Sequence, residues 1–273
     1  MRWTQLLLLC LIARTGSAQD FTFLTYNIRY DNEVDSLDRW DLRKEALADE
    51  VMRHKPHVIG LQEALAHQLT YLDAKWPRYR RYGIGREDGA LRGEFSPVYY
   101  DTTVFTLVQG ITLWLAPDPI RPGKGWDAAC ERIATVGVLR DMTSGDSLWV
   151  VNTHWDHEGK RARRNSAAMI EGALRKARAA GQRFVIMGDL NTEPGTPPIR
   201  ALRQWTADAC PVVRSAEGTF NGFGKVEPPY KRIDYILFSP GRWEVIAYDV
   251  LQPVIIGRQL SDHFPVITGL RPR

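Results

Sequence analysis

Phe184-Val-Ile-Met-Gly-Asp-Leu-Asn191 is the stretch that decides the fold. Four apolar residues in a row, two of them β-branched, make a short strand of the kind buried on both faces. The strand breaks at Gly188 and delivers a carboxylate, Asp189, and an amide, Asn191, at its end. The same pattern recurs along the chain. Asn27 closes FTFLTYN, Glu63 follows HVIGLQ, and Asn152 and His154 end SLWVVNTH. Asp234 opens DYILF, and Asp262 with His263 precedes FPVITGL. Taken singly, each is a turn former or a cap at a strand terminus. Taken together they are polar groups gathered at one edge of a sheet, which is how α/β domains build sites.

Between these strands lie helical patterns. Leu42, Ala46, Leu47 and Val51 fall on one helix face, with Pro56 as the stop, and a second helix runs from about Ala66 to Lys75. A long helix spans about Arg161 to Ala180, with an apolar stripe of Met169, Ile170, Ala173, Leu174 and Ala177, and Gly181 follows it. The middle is rich in hairpins. Pro97 to Leu115 reads as β, and two strands are joined by Thr143-Ser144-Gly145-Asp146. TEPGTPP, after Asn191, reads as an irregular loop. Strands and helices mix from end to end with no linker or repeat, so one α/β domain is expected, with a mixed sheet or two sheets packed face to face.

The chain has 273 residues, 44% hydrophobic and 25% charged, with ample apolar material for a core. Its net charge is +4. Residues 1–18 carry Arg2, the apolar run LLLLCLIA and the small-residue exit Gly16-Ser17-Ala18, the grammar of a cleavable signal peptide. A buried first strand or helix fits that grammar less well. The expected mature domain is 19–273, secreted or periplasmic, soluble and monomeric. Loss of Arg2 and Arg14 leaves 34 basic residues against 32 acidic, so the basic balance nearly vanishes. Cys10 leaves with the signal. Cys130 and Cys210 remain, either as a disulfide or as two free thiols.

The residue types select a chemistry. Carboxylates and amides without thiolates suit a hard cation, Mg²⁺ or Mn²⁺. HExxH, a Walker-type glycine loop and a GxSxG elbow are all missing from the sequence. Histidines beside carboxylates with a divalent cation point to hydrolysis of a phosphate ester by water.

YN near the start, LQE, NTHWDH, GDLN, RIDYI and SDHFP, in that order, resemble the endonuclease/exonuclease/phosphatase superfamily, whose members resemble deoxyribonuclease I. The likeness runs from Asn27 to Pro265, and its nearest form is a group of poorly characterised secreted bacterial members. It implies a four-layer α/β sandwich, two mixed sheets face to face with helices outside. It also implies roles. Glu63 resembles the main Mg²⁺ ligand, with Asn27 close by and Asp262 a further ligand. Asp189 resembles the carboxylate that orients or deprotonates water, and Asn191 the amide at the phosphate. His263 resembles the histidine on the scissile phosphate, Asp234 its carboxylate partner and His154 the second histidine. Arg132 and Asn152 are candidate substrate-binding residues. His54, His57 and His67 are read as ordinary surface or capping residues.

Within such a superfamily, loops choose the substrate. A nuclease wants a basic, aromatic groove; RYRRYGIGR (78–86) and KRARR (160–164) are the candidate stretches, though both also read as solvated faces. The expectation is a secreted, Mg²⁺-dependent phosphoesterase acting on a phosphodiester or phosphomonoester, with nucleic acid not favoured. The alternatives are a non-specific secreted nuclease and, more remotely, an inactive binding module on the same scaffold.

Overall fold

In a computed structural model, described for residues 19–215 and 217–273, fourteen strands and four α-helices follow one another along the chain. The strands are β1 (Phe21–Asn27), β2 (Val58–Gln62), β3 (Tyr79–Tyr82), β4 (Val98–Asp101), β5 (Phe105–Trp114), β6 (Ile133–Asp141), β7 (Ser147–His154), β8 (Arg183–Asp189), β9 (Ala207–Asp208), β10 (Asp234–Phe238), β11 (Trp243–Val250), β12 (Val254–Ile255), β13 (Arg258–Gln259) and β14 (Val266–Pro272). The helices are α1 (Trp40–Arg53), α2 (Ala66–Lys75), α3 (Lys160–Ala179) and α4 (Pro197–Arg203). The signal-peptide segment, 1–18, lies outside the described residues.

Two six-stranded mixed sheets form, in the orders β11-β14-β1-β2-β4-β3 and β5-β6-β7-β8-β10-β9. Each holds one parallel pair, β1 with β2 and β7 with β8; the other pairings are antiparallel. A parallel pair needs a crossover, and α1 and α3 provide the two. Strand alternation then sorts the side chains into layers. On β1, Phe21 and Phe23 enter the core between the sheets, while Leu24 and Tyr26 face a second core against α1 and α2. On β8, Val185 and Met187 face the other sheet, while Phe184 and Ile186 pack under α3 and α4. Helix, sheet, sheet, helix is the four-layer sandwich that the sequence motifs imply.

Two elements depart from the sequence reading. Arg78 to Tyr82, part of the stretch that reads as a candidate basic groove or a solvated face, contains the edge strand β3: Tyr79 is buried and donates to the Pro56 carbonyl, and Tyr82 packs against the inter-sheet core. TEPGTPP leads directly into α4, with Thr196 at the N-cap and Pro197 at the first helical position. Cys130 and Cys210 are free thiols, so the disulfide alternative does not hold. Among the described residues no helix is long and apolar enough to cross a membrane.

Candidate active site

Strand alternation also aims the site. Phe23 is in the inter-sheet core, and Asn27 shares its parity; Val150 is in that core, and His154 shares its parity. The same holds for Val185 and Asp189, and for Ile236 and Asp234. Each polar residue therefore continues the apolar core-facing row, at the end where the two sheets open. Register then sets neighbours: His154 lies opposite Asp189, and Asp189 opposite Asp234, in one row across the second sheet. Gly188, before Asp189, has φ +147, and a Cβ there would stand 2.0 Å from the Thr153 carbonyl oxygen, so glycine is required for this close approach.

The cleft above the row encloses about 720 Å³. Asp189 is its centre. Its Oδ2 accepts from Asn27 Nδ2 at 3.1 Å and lies 3.3 Å from His154 Nε2 and 3.7 Å from His263 Nε2. Its Oδ1 accepts from the Asn191 backbone N–H. Burial, and then Asp234 beside it, push Asp189 up to about 7. His263 Nδ1 is 2.9 Å from Asp234 Oδ2. Burial opposes charge on that ring, but Asp234 and Asp189 together outweigh it and hold the imidazole well above its ordinary value. His154 goes the other way: burial, then Arg132 and Arg86, keep it well below. Asn191 Nδ2 donates to His154 Nε2 and to the Trp155 carbonyl, which places the proton of the neutral ring on Nδ1.

Across from this row, Glu63 Oε1 accepts from Asn27 Nδ2 at 3.0 Å and Oε2 from the Tyr30 N–H. Asp262 stands nearby, its Oδ1 accepting from Ser261 Oγ. Both carboxylates flank the same guanidinium nitrogen, Nη1 of Arg29, at 3.9 and 4.0 Å. That niche is oxygen-rich, negative and open to the cleft, the environment a hard divalent cation needs, so Asn27, Glu63 and Asp262 fit a metal site. Asp189, Asp234 and His263 also lie within ligating distance of one another. There, however, the imidazole is already hydrogen-bonded to Asp234 through Nδ1 and faces Asp189 through Nε2 at 3.7 Å, so the ring sits between the two carboxylates where an ion would have to go.

Arg132 reaches the cleft wall. Its Nη2 donates to His157 Nδ1 at 2.9 Å, its Nε faces Asp156, and its Nη1 is buried without a hydrogen-bond partner among the described residues. Asn152 is not in the cleft, which corrects its expected role in substrate binding. It is fully buried, its Nδ2 donating to the Leu61 and Pro97 carbonyls and its Oδ1 accepting from Gln62 Nε2. It ties the two sheets together just behind Glu63. One feature escapes sequence reasoning: Glu94 lies 3.9 Å from His154 Nδ1 and pairs with Arg86 at 2.7 Å. Burial, then Glu63, push its carboxyl up to about 7. It sits in GEFSP, between two elements, where no pattern marks it. Three non-glycine residues around the cleft, Arg29, Glu63 and Asn191, have positive φ (57, 63 and 47°). Such conformations cluster where function demands them.

This fold and donor set define a metal-dependent phosphoric ester hydrolase. A model of the endonuclease/exonuclease/phosphatase family matches residues 24–263, and the chain belongs to that family. It is similar to an endonuclease/exonuclease/phosphatase from Bacteroides vulgatus, with 32% identity, TM-score 0.87, and coverage of 93% of this chain and 100% of that one. It is also similar to a mannosyl-6-phosphatase from Bacteroides thetaiotaomicron, with 32% identity, TM-score 0.83, and coverage of 92% and 99%. Among curated proteins it resembles the CCR4-Not complex 3'-5'-exoribonuclease subunit Ccr4 of Coccidioides immitis, 26% identical over 174 residues, which are 53% of this chain. The match spans 23% of that relative's length.

Proposed function

We propose that this protein is an exported, Mg²⁺-dependent phosphomonoesterase whose substrate is the phosphate ester of a small polyol, a sugar phosphate above all. The observation that carries the reading is the continuous row His154–Asp189–Asp234, with His263 over it and the Asn27–Glu63–Asp262 niche facing it. A bound Mg²⁺ would be held by Glu63, Asp262 and Asn27 and would supply Lewis-acid neutralisation of charge on a phosphoryl oxygen. Asp189, fixed by Asn27 and the Asn191 N–H, orients water and takes its proton. His263, oriented by Asp234 through Nδ1, presents Nε2 to the phosphate, and the free Nη1 of Arg132 supplies a further donor to its oxygens, while Asn191 holds the His154 ring in place beside Asp189.

Two features support a small ester over a polynucleotide. Three of the four arginines of the 78–86 stretch are engaged within the protein, Arg78 with Asp101, Arg81 with Asp73 and Arg86 with Glu94, while its tyrosines pack inward. The Bacteroides thetaiotaomicron relative that covers almost the whole chain is a mannosyl-6-phosphatase. Export rests on the signal grammar of residues 1–18. The test is phosphate release from mannose 6-phosphate and other sugar phosphates, run beside bis-p-nitrophenyl phosphate, plasmid DNA and RNA, each with Mg²⁺ and with EDTA. Turnover confined to sugar monoesters and abolished by EDTA supports the reading. Cleavage of DNA or RNA alone replaces it with the nuclease, and no turnover of any ester favours a binding module.

A further inference from the structure

We propose that Arg29 is a fixed cation built into the metal niche, which weakens binding of the free metal and holds the substrate's phosphoryl oxygens beside it. The proposal rests on the reading of Asn27, Glu63 and Asp262 as the metal-holding group.

Arg29 lies two residues beyond the end of β1, and its backbone is held in a conformation that costs energy for a non-glycine residue, φ +57. Five hydrogen bonds and one ring contact hold it there. Its N–H donates to Asn27 Oδ1 at 3.0 Å, and its carbonyl accepts from Arg43 Nη2 and Gln68 Nε2. Its guanidinium donates through both Nε and Nη2 to Asp35, each at 3.0 Å, and lies over the Tyr30 ring at 4.4 Å. A bidentate pair of this kind fixes the plane of the fork. Nη1 is then the one nitrogen left over, and it projects between Glu63 and Asp262 at 3.9 and 4.0 Å, beyond hydrogen-bond reach of either. The side chain remains 22% exposed and lines the cleft. A strained backbone, a pinned fork and a free nitrogen aimed between two candidate ligands are more than a loop tie requires.

The surroundings strengthen the electrostatic case. Arg43 is buried beneath this corner and donates to the carbonyls of Asp38, Ile28, Leu260 and Arg29, with no carboxylate among its hydrogen-bond partners. Two fixed guanidinium charges thus offset Glu63, Asp262 and Asp35 before any metal enters. A unit positive charge about 6 Å from a divalent ion opposes its binding by about tenfold even at the dielectric of bulk water, and by more where the site is partly buried. The same charge attracts a phosphate, to which a guanidinium nitrogen donates a charge-assisted hydrogen bond. The two effects have opposite signs, and that opposition distinguishes the proposal from a purely structural role.

The experiment measures Mn²⁺ binding by loss of the free-ion electron paramagnetic resonance signal, and inorganic phosphate binding by calorimetry at saturating Mn²⁺. It compares the wild-type chain, Arg29→Gln and Arg29→Lys, with no substrate present. The glutamine variant is expected to bind Mn²⁺ about tenfold more tightly and phosphate about tenfold more weakly. The lysine variant, which keeps the charge, should stay near wild type for Mn²⁺. Unchanged or weaker Mn²⁺ binding by Arg29→Gln, with the wild type binding normally, overturns the proposal alone. A wild-type chain that binds no Mn²⁺ overturns the metal reading and this proposal with it.

Discussion

His263 Nδ1 stands 2.9 Å from Asp234 Oδ2, and both side chains are almost wholly buried, Asp234 at the start of β10 and His263 in the connection that leads into β14 of the other sheet. The pair fixes which ring nitrogen faces the cleft. Asp234→Asn keeps the shape but removes the charge that orients the imidazolium, so kcat is expected to fall by about 10² or more with KM changed only a few-fold. His263→Ala should fall further, and the double variant should be no worse than His263→Ala, because the two act as a unit. Steady-state phosphate release on the four proteins decides it; additive losses would separate the roles.

Glu63→Gln removes one charge from the niche while keeping an oxygen in place. Metal affinity, measured by Mn²⁺ titration, is expected to weaken by about tenfold or more, and activity should recover partly as metal is raised. Recovery at no metal concentration would mean that Glu63 acts on the substrate directly.

Asn152→Ala is expected to destabilise the fold by about 2–4 kcal/mol, because it removes three buried hydrogen bonds, to the Leu61 and Pro97 carbonyls and from Gln62 Nε2, and leaves a cavity in a dry interior. Urea unfolding with an unchanged m-value would show it. A variant as stable as wild type but defective in substrate binding would restore the role expected from the sequence.

His57 Nδ1 accepts the Thr22 N–H at 2.9 Å, so protonation breaks a bond at the start of β1. Burial chiefly, aided by Arg78 and opposed by Asp101, lowers this pKa below its ordinary 6.5. Between the lowered value and 6.5 the unfolded chain holds more protons than the folded one, so stability rises with pH across that window and levels off above it. The urea midpoint should therefore drop as the pH falls through and below 6.5, and His57→Gln should flatten that part of the drop. An identical slope in the variant would assign it to other groups.

The sequence carried the architecture because its signals are local. FVIMGDLN and VIGLQE mark their own strands by apolar runs, and α2 has the bounds that its spacing and Pro77 indicate. Parity along a strand even says which residues share a face, which is why Asn27, His154, Asp189 and Asp234 were legible together. Long-range packing was not. Asn152 has the same parity and composition as its neighbours, yet it meets the opposite sheet one step before the opening, where Gly60 leaves room for it. Glu94 is recruited by Arg86 and His154 from a segment without pattern. RYRRY looked like a solvated or nucleic-acid-binding face because a charge run does not reveal its partners; Asp73 and Asp101 supply them from α2 and β4.

The central claim is that Asp189, held by Asn27 and the Asn191 N–H, activates water for a metal-dependent attack on a phosphate monoester. The most direct measurement is the initial rate of phosphate release from mannose 6-phosphate by wild type and Asp189→Asn, each with Mg²⁺ and with EDTA. The account predicts turnover only by the wild type with Mg²⁺, and a loss in Asp189→Asn of about 10² or more in kcat with the protein still folded. Full turnover by Asp189→Asn, or by the wild type in EDTA, would contradict it.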